Sequence, residues 1–139
     1  MPIVLDANVL VVLASGDARK DAAQSHIRQW ITAGEDIHAP ALLPYEVASG
    51  LTRLVAGGLL PADHVGEAWQ TALRLPITYH RLDTDGDRVV AVALELRRQS
   101  AYDAAYLELA EQLRAKLWTF DGPLARNAHG LGFPVNFME

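Results

Sequence analysis

Short runs of consecutive apolar residues alternate along the chain with longer stretches in which apolar positions recur every three or four residues. Ile3-Val4-Leu5 is such a run, ending at Asp6, and has the pattern of a strand buried on both faces. A helix is expected from Asn8. Ala23, His26, Ile27, Trp30 and Ile31 then share one helical face, and Gly34 supplies a left-handed stop. Residues 37–39 read as a second strand. From Pro44, a residue favoured in a first helical turn, a third helix turns Val47, Leu51, Leu54 and Val55 inward and stops at Gly57-Gly58. Pro61 opens a fourth, with Val65, Ala68, Trp69 and Ala72 on its buried face, until Pro76 ends it and residues 77–79 run extended.

The second half repeats the alternation. Thr84 or Asp83 is placed to cap a long helix carrying Val89, Val92, Ala93 and Leu96. Ser100 is placed to cap the next, whose inward face holds Tyr106, Leu109, Ala110 and Leu113. Residues 117–120 read as strand, residues 123–127 as a short helix, and Gly130-Leu131-Gly132 as the turn into a last extended segment at 135–137. Strand followed by helix, repeated, predicts an α/β chain: a three-layer α/β/α sandwich with a central, mainly parallel sheet. No repeat, linker or low-complexity stretch interrupts it, so residues 1–139 are expected to form one domain.

Composition adds exclusions. Half of the 139 residues are hydrophobic and 21% are charged, far from the signature of disorder. There is no cysteine, which removes disulfides, thiolate metal sites and a thiol nucleophile, and agrees with a reducing, cytoplasmic setting. No run of ~18 uncharged apolar residues occurs, so no membrane span is expected. The net charge of -5 opposes binding of nucleic acid by bulk electrostatics, so any such role has to be local.

In a parallel sheet covered by helices, ligands collect at the carboxyl ends of the strands, which directs attention to acids there. Asp6 directly follows the first strand, and Asn8 stands two residues on. Glu46 lies in the first turn of the third helix, where the macrodipole favours a negative charge whether or not it does chemistry. Asp103 heads the apolar stripe that contains Tyr106, a costly place for an idle carboxylate. Asp121 ends the strand 117–120 beside Gly122-Pro123, and the Thr119 hydroxyl is placed to orient it. Each acid alone has a turn or cap explanation; all four together are brought to one edge of a doubly wound sheet. Packed carboxylates repel, and a divalent cation is the natural compensation. All-oxygen ligands select Mg2+ or Mn2+ over Zn2+, and such an ion serves phosphodiester hydrolysis. His26, His38, His64, His80 and His129 show no ligand spacing and read as structural or surface residues.

These residues resemble the PIN-domain family and, within it, the VapC ribonuclease toxins of toxin–antitoxin pairs. The resemblance runs through Ile3-Val4-Leu5-Asp6-Ala7-Asn8, Pro44-Tyr45-Glu46-Val47, Tyr102-Asp103-Ala104-Ala105-Tyr106-Leu107 and Thr119-Phe120-Asp121-Gly122-Pro123-Leu124-Ala125. It implies that Asp6, Glu46, Asp103 and Asp121 form an acidic metal pocket, assisted by Asn8 and Thr119. It further implies Mg2+- or Mn2+-dependent cleavage of structured RNA such as a tRNA or rRNA loop, inhibition by a VapB-type antitoxin, and a homodimer. Two rivals remain at this point. A haloacid-dehalogenase-like phosphatase shares a strand ending in aspartate, but Asn8 stands where its second acid belongs. A catalytically silent PIN-like scaffold would bind RNA or protein without cutting.

Overall fold

The computed structural model describes residues 2–139. Five strands form one sheet: β1 (Ile3–Leu5), β2 (Ile37–Pro40), β3 (Ile77–His80), β4 (Lys116–Thr119) and β5 (Val135–Phe137). Their order is β3-β2-β1-β4-β5 and every pairing is parallel, so the α/β/α sandwich expected from the pattern is found. β1 is central and wholly buried, which explains its uninterrupted apolar run. β3 lies at an edge and is only half covered, in keeping with its mixed composition.

The helices are α1 (Ala7–Ala14), α2 (Lys20–Thr32), α3 (Leu43–Ala56), α4 (Val65–Ala72), α5 (Gly86–Glu95), α6 (Tyr102–Leu113) and α7 (Gly122–Gly130). α1 packs against α2, α3 and α4, while α6 lies along β1, β2 and β4 with α5 beside it. Leu5, Leu10, Leu43, Leu107, Leu117 and Leu124 are almost fully buried, each contributing ~1.5–3 kcal/mol by leaving water. Gly50 eases the approach of α3 to α1: a Cβ there would sit 2.7 Å from Val11 Cγ2, and the Val11 side chain would have to shift. No helix among the described residues is long and apolar enough to cross a membrane.

Several local expectations are corrected. α1 begins at Ala7, one residue before the expected start at Asn8, and Asp6 occupies the cap position. Ile31 is exposed, because α2 turns only Ala23, Ile27 and Trp30 fully inward. A 3-10 turn at Ala62–His64 precedes α4, which stops at Ala72, well before Pro76. Neither Asp83, Thr84 nor Ser100 caps a helix: α5 and α6 start after Asp85 and Ala101, without side-chain caps. Gly34 does adopt the left-handed conformation expected of it, with φ of 72°. The histidines are less isolated than their spacing indicates: His38 Nδ1 and His80 Nε2 are hydrogen-bonded at 2.8 Å across β2 and β3.

Candidate active site

The strand order reverses between β1 and β4, and this is where a crevice opens at the carboxyl ends of a parallel sheet. Asp6 leaves β1 and Asp121 follows β4 on the two sides of that point. α3 and α6 deliver Glu46 and Asp103 from their first turns. All four acids, with Asn8, line a single open cleft of about 350 Å3.

Thr119 organises one side of it. Its hydroxyl donates to Asp6 Oδ2 at 2.8 Å and accepts from Asn8 Nδ2 at 3.1 Å and from the Asp121 N–H at 2.9 Å. One donor and two lone pairs are thus all used, with the side chain fully buried. Asn8 also reaches Asp6 Oδ2 at 3.4 Å and takes the Phe120 N–H on its Oδ1 at 3.1 Å, tying α1 to the end of β4. Thr119 therefore orients the Asp6 carboxylate and the Asp121 backbone, rather than the Asp121 carboxylate as its position beside that residue implies. The Asp121 side chain is held by its own helix: Oδ1 accepts from the Leu124 N–H at 3.0 Å, an N-cap that satisfies an otherwise orphan donor of α7.

The other side is less well satisfied. Glu46 Oε1 and the Tyr106 hydroxyl are both buried without a hydrogen bond of regular geometry. The hydroxyl is nonetheless near enough to favour the charged form of Glu46, against the larger effect of burial and the repulsion of Asp103, so the Glu46 carboxyl lies above its ordinary range. Burial likewise raises Asp103, assisted by Asp121 and opposed by Arg98. Asp6 is pushed up to about 7, by burial first and then by the charges of Asp103 and Glu46, although the Thr119 hydrogen bond pulls the other way. The Tyr106 phenol is raised by burial and by the neighbouring Asp6 and Glu46 charges, and stays protonated.

A cleft that holds several carboxylates at a desolvation cost has the chemistry of a cation site, since a dication would reverse each of these penalties. Among the described residues no three acidic or histidine side chains already converge at metal-ligand distances; the acids line the cleft without closing on one point. Basic groups also reach it. Arg53 lies two turns along α3 from Glu46, on the same face. Arg19 is clamped by Asp17 at 3.0 and 2.9 Å and lies 4.7 Å over the Phe120 ring. Sequence reading missed both arginines and Tyr106. The seven-residue spacing from Glu46 to Arg53 was the available signal, whereas nothing local marks Arg19.

The model of the PIN domain matches residues 3–130, and the chain belongs to the PIN domain family. Curated relatives of the chain are named VapC ribonucleases. A "VapC ribonuclease" of Mycobacterium bovis is 36% identical over 121 residues, 86% of this chain and 85% of that protein. "Ribonuclease VapC3" of Pyrobaculum aerophilum is 31% identical over 140 residues, 96% of this chain and 100% of its own length. In structure, the VapBC2 crystal structure from Rickettsia felis, bound to a DNA fragment from its promoter, matches with a TM-score of 0.71 over 100% of both chains at 10% identity, a likeness of fold.

Proposed function

We propose that the chain is a VapC-type endoribonuclease that hydrolyses phosphodiester bonds of structured RNA, such as a tRNA or an rRNA loop, with Mg2+ or Mn2+. The observation that carries this reading is the meeting of Asp6, Glu46, Asp103 and Asp121 in one cleft from four separate segments. The names of the relatives support the same activity. A VapB-type antitoxin as inhibitor and a homodimer as the working form follow from the VapC resemblance.

The residues present fit a hard divalent cation. The donor set is oxygen only, no thiol competes, and Glu46 Oε1 is a buried carboxylate oxygen with no hydrogen bond of regular geometry. Asp6, Glu46, Asp103 and Asp121 would hold the ion. When bound, it supplies charge neutralisation at the phosphodiester and lowers the pKa of a water. The chain's own residues do the rest. Thr119 and Asn8 fix the orientation of the Asp6 carboxylate, so that no rotamer search precedes ligand binding. Asp121 keeps one oxygen on its helix and leaves the other for the cleft. Tyr106, buried and protonated, keeps its hydroxyl near Glu46 and favours the charged carboxylate. Arg53 offers a planar guanidinium group to substrate phosphates in a chain whose net charge is otherwise repulsive, and Arg19, its Nε and Nη2 held by Asp17, has Nη1 left for one.

The test is cleavage by the purified protein. Structured RNA is expected to be cut with Mg2+ or Mn2+ and left intact under a chelator, while small phosphate monoesters are untouched. Turnover of monoesters alone would restore the phosphatase reading, and metal-independent binding without cutting would leave a scaffold.

A further inference from the structure

Two tyrosines stand in solvent at the rim of the cleft. Tyr45 is 79% exposed and Tyr102 is 61% exposed, an expensive placement for large rings. Each directly precedes an acid of the cleft, Tyr45 before Glu46 on α3 and Tyr102 before Asp103 at the start of α6. Successive helical residues point roughly 100° apart, so where the acid turns inward the ring before it is carried to the rim. Both rings line one hollow of about 510 Å3, together with Leu42, Ser49, Glu46 and Arg53. Glu46 and Arg53 line the carboxylate cleft as well, so the two spaces adjoin. Along α3, Tyr45, Ser49 and Arg53 follow one another at four-residue intervals on a single face.

We propose that this hollow is a subsite for an unpaired nucleobase of the RNA, with Tyr45 and Tyr102 as stacking surfaces and Arg53 as the phosphate contact where the strand enters the carboxylate cleft. It rests on the ribonuclease reading. Sequence-specific contacts to RNA are made mostly to splayed bases of loops, which stack on aromatic rings and guanidinium planes. Stacking also answers the charge problem. A chain of net charge -5 gains little from bulk attraction to phosphate, whereas a ring face holds any base whatever the net charge. Glu46, Ser49 and Arg53 stand among the rings, hydrogen-bonding and charged groups beside stacking surfaces, a mixture that suits a nucleotide. The volume lies within the roughly 300–1,000 Å3 of small-ligand sites.

A short, mixed-sequence, single-stranded RNA carrying one 2-aminopurine is titrated with the full chain under a chelator, so that nothing is cut. Quenching of the probe by the native protein is expected. Tyr45→Ala and Tyr102→Ala should each bind about tenfold or more weakly, while Tyr45→Phe and Tyr102→Phe, which keep the ring, should match the native protein. With Mg2+ present, the alanine variants should raise KM more than they lower kcat. Absence of quenching by the native chain overturns the subsite, as does unchanged binding by both alanine variants. So does a changed sedimentation coefficient of those variants with RNA affinity intact, which would assign the face to contact between copies. Quenching by a native chain that never cuts RNA with either metal would sink the ribonuclease reading and leave the base subsite standing.

Discussion

The two sides of the cleft are built on opposite principles. Around Asp6, Thr119 uses its donor and both lone pairs, Asn8 bridges α1 to the end of β4, and Asp121 is anchored by the Leu124 N–H. Around Glu46, a buried carboxylate oxygen and a buried phenol face each other without a regular hydrogen bond. A satisfied polar network holds a geometry in the free protein, whereas orphaned polar groups cost stability until a ligand arrives. The first side is preorganised; the second keeps buried polar groups without regular hydrogen bonds. Together they describe a site whose shape is set by the fold and whose electrostatics are left incomplete.

The largest test of that contrast removes the charge. Asp6→Asn or Asp103→Asn is expected to lower Mg2+- or Mn2+-dependent RNA cleavage on the order of a thousandfold, the loss of several kcal/mol of charge stabilisation. Native cleavage rates in either variant would remove that residue from the mechanism. Next comes the satisfied side. Thr119→Val keeps the shape but strips partners from Asp6, Asn8 and the Asp121 N–H, and should cost about 3 kcal/mol in urea unfolding; a loss below ~0.5 kcal/mol would show that the hydroxyl does not hold this side.

A smaller effect appears in pH dependence. Asp6 has its carboxyl raised to about 7 in the folded chain from 3.8, so the folded state binds the extra proton between those values. Stability of the metal-free protein contributed by this group is therefore full at low pH and lost as pH rises through about 7. Asp6→Asn should flatten that dependence and raise the metal-free Tm at pH 8 by roughly 5 °C, a stability gain at the expense of activity. Millimolar Mg2+ or Mn2+ should raise the native Tm more at pH 8 than at pH 6, because ionised carboxylates bind the ion; equal shifts at both pH values would contradict the carboxylate site. The smallest expected effect is the sharpest comparison. Tyr106→Phe deletes a hydroxyl that favours the charged form of Glu46 without a regular hydrogen bond, and should cost metal-free stability no more than ~1 kcal/mol, less than Thr119→Val. A loss as large as that of Thr119→Val would mean the two sides are equally bonded.

Local pattern determined much of this molecule by itself. Apolar runs marked the strands, three- and four-residue spacing marked most buried helical faces, and Gly34 marked a left-handed stop, because side-chain period and φ preference act over a few residues. The same locality placed Asp6 and Asp121 next to strand ends and Glu46 and Asp103 in first helical turns. Helix starts at α5 and α6 were misplaced because Ser, Thr and Asp favour caps and turns alike. Only the tertiary structure decided the order β3-β2-β1-β4-β5, which sets β4 beside β1 and brings Thr119 within hydrogen-bonding reach of a carboxylate more than a hundred residues away. The pairing of His38 with His80 and the sharing of one hollow by Tyr45 and Tyr102 belong to the same level. Such contacts arise from how distant segments pack, and no periodicity within a segment encodes which neighbour it will meet.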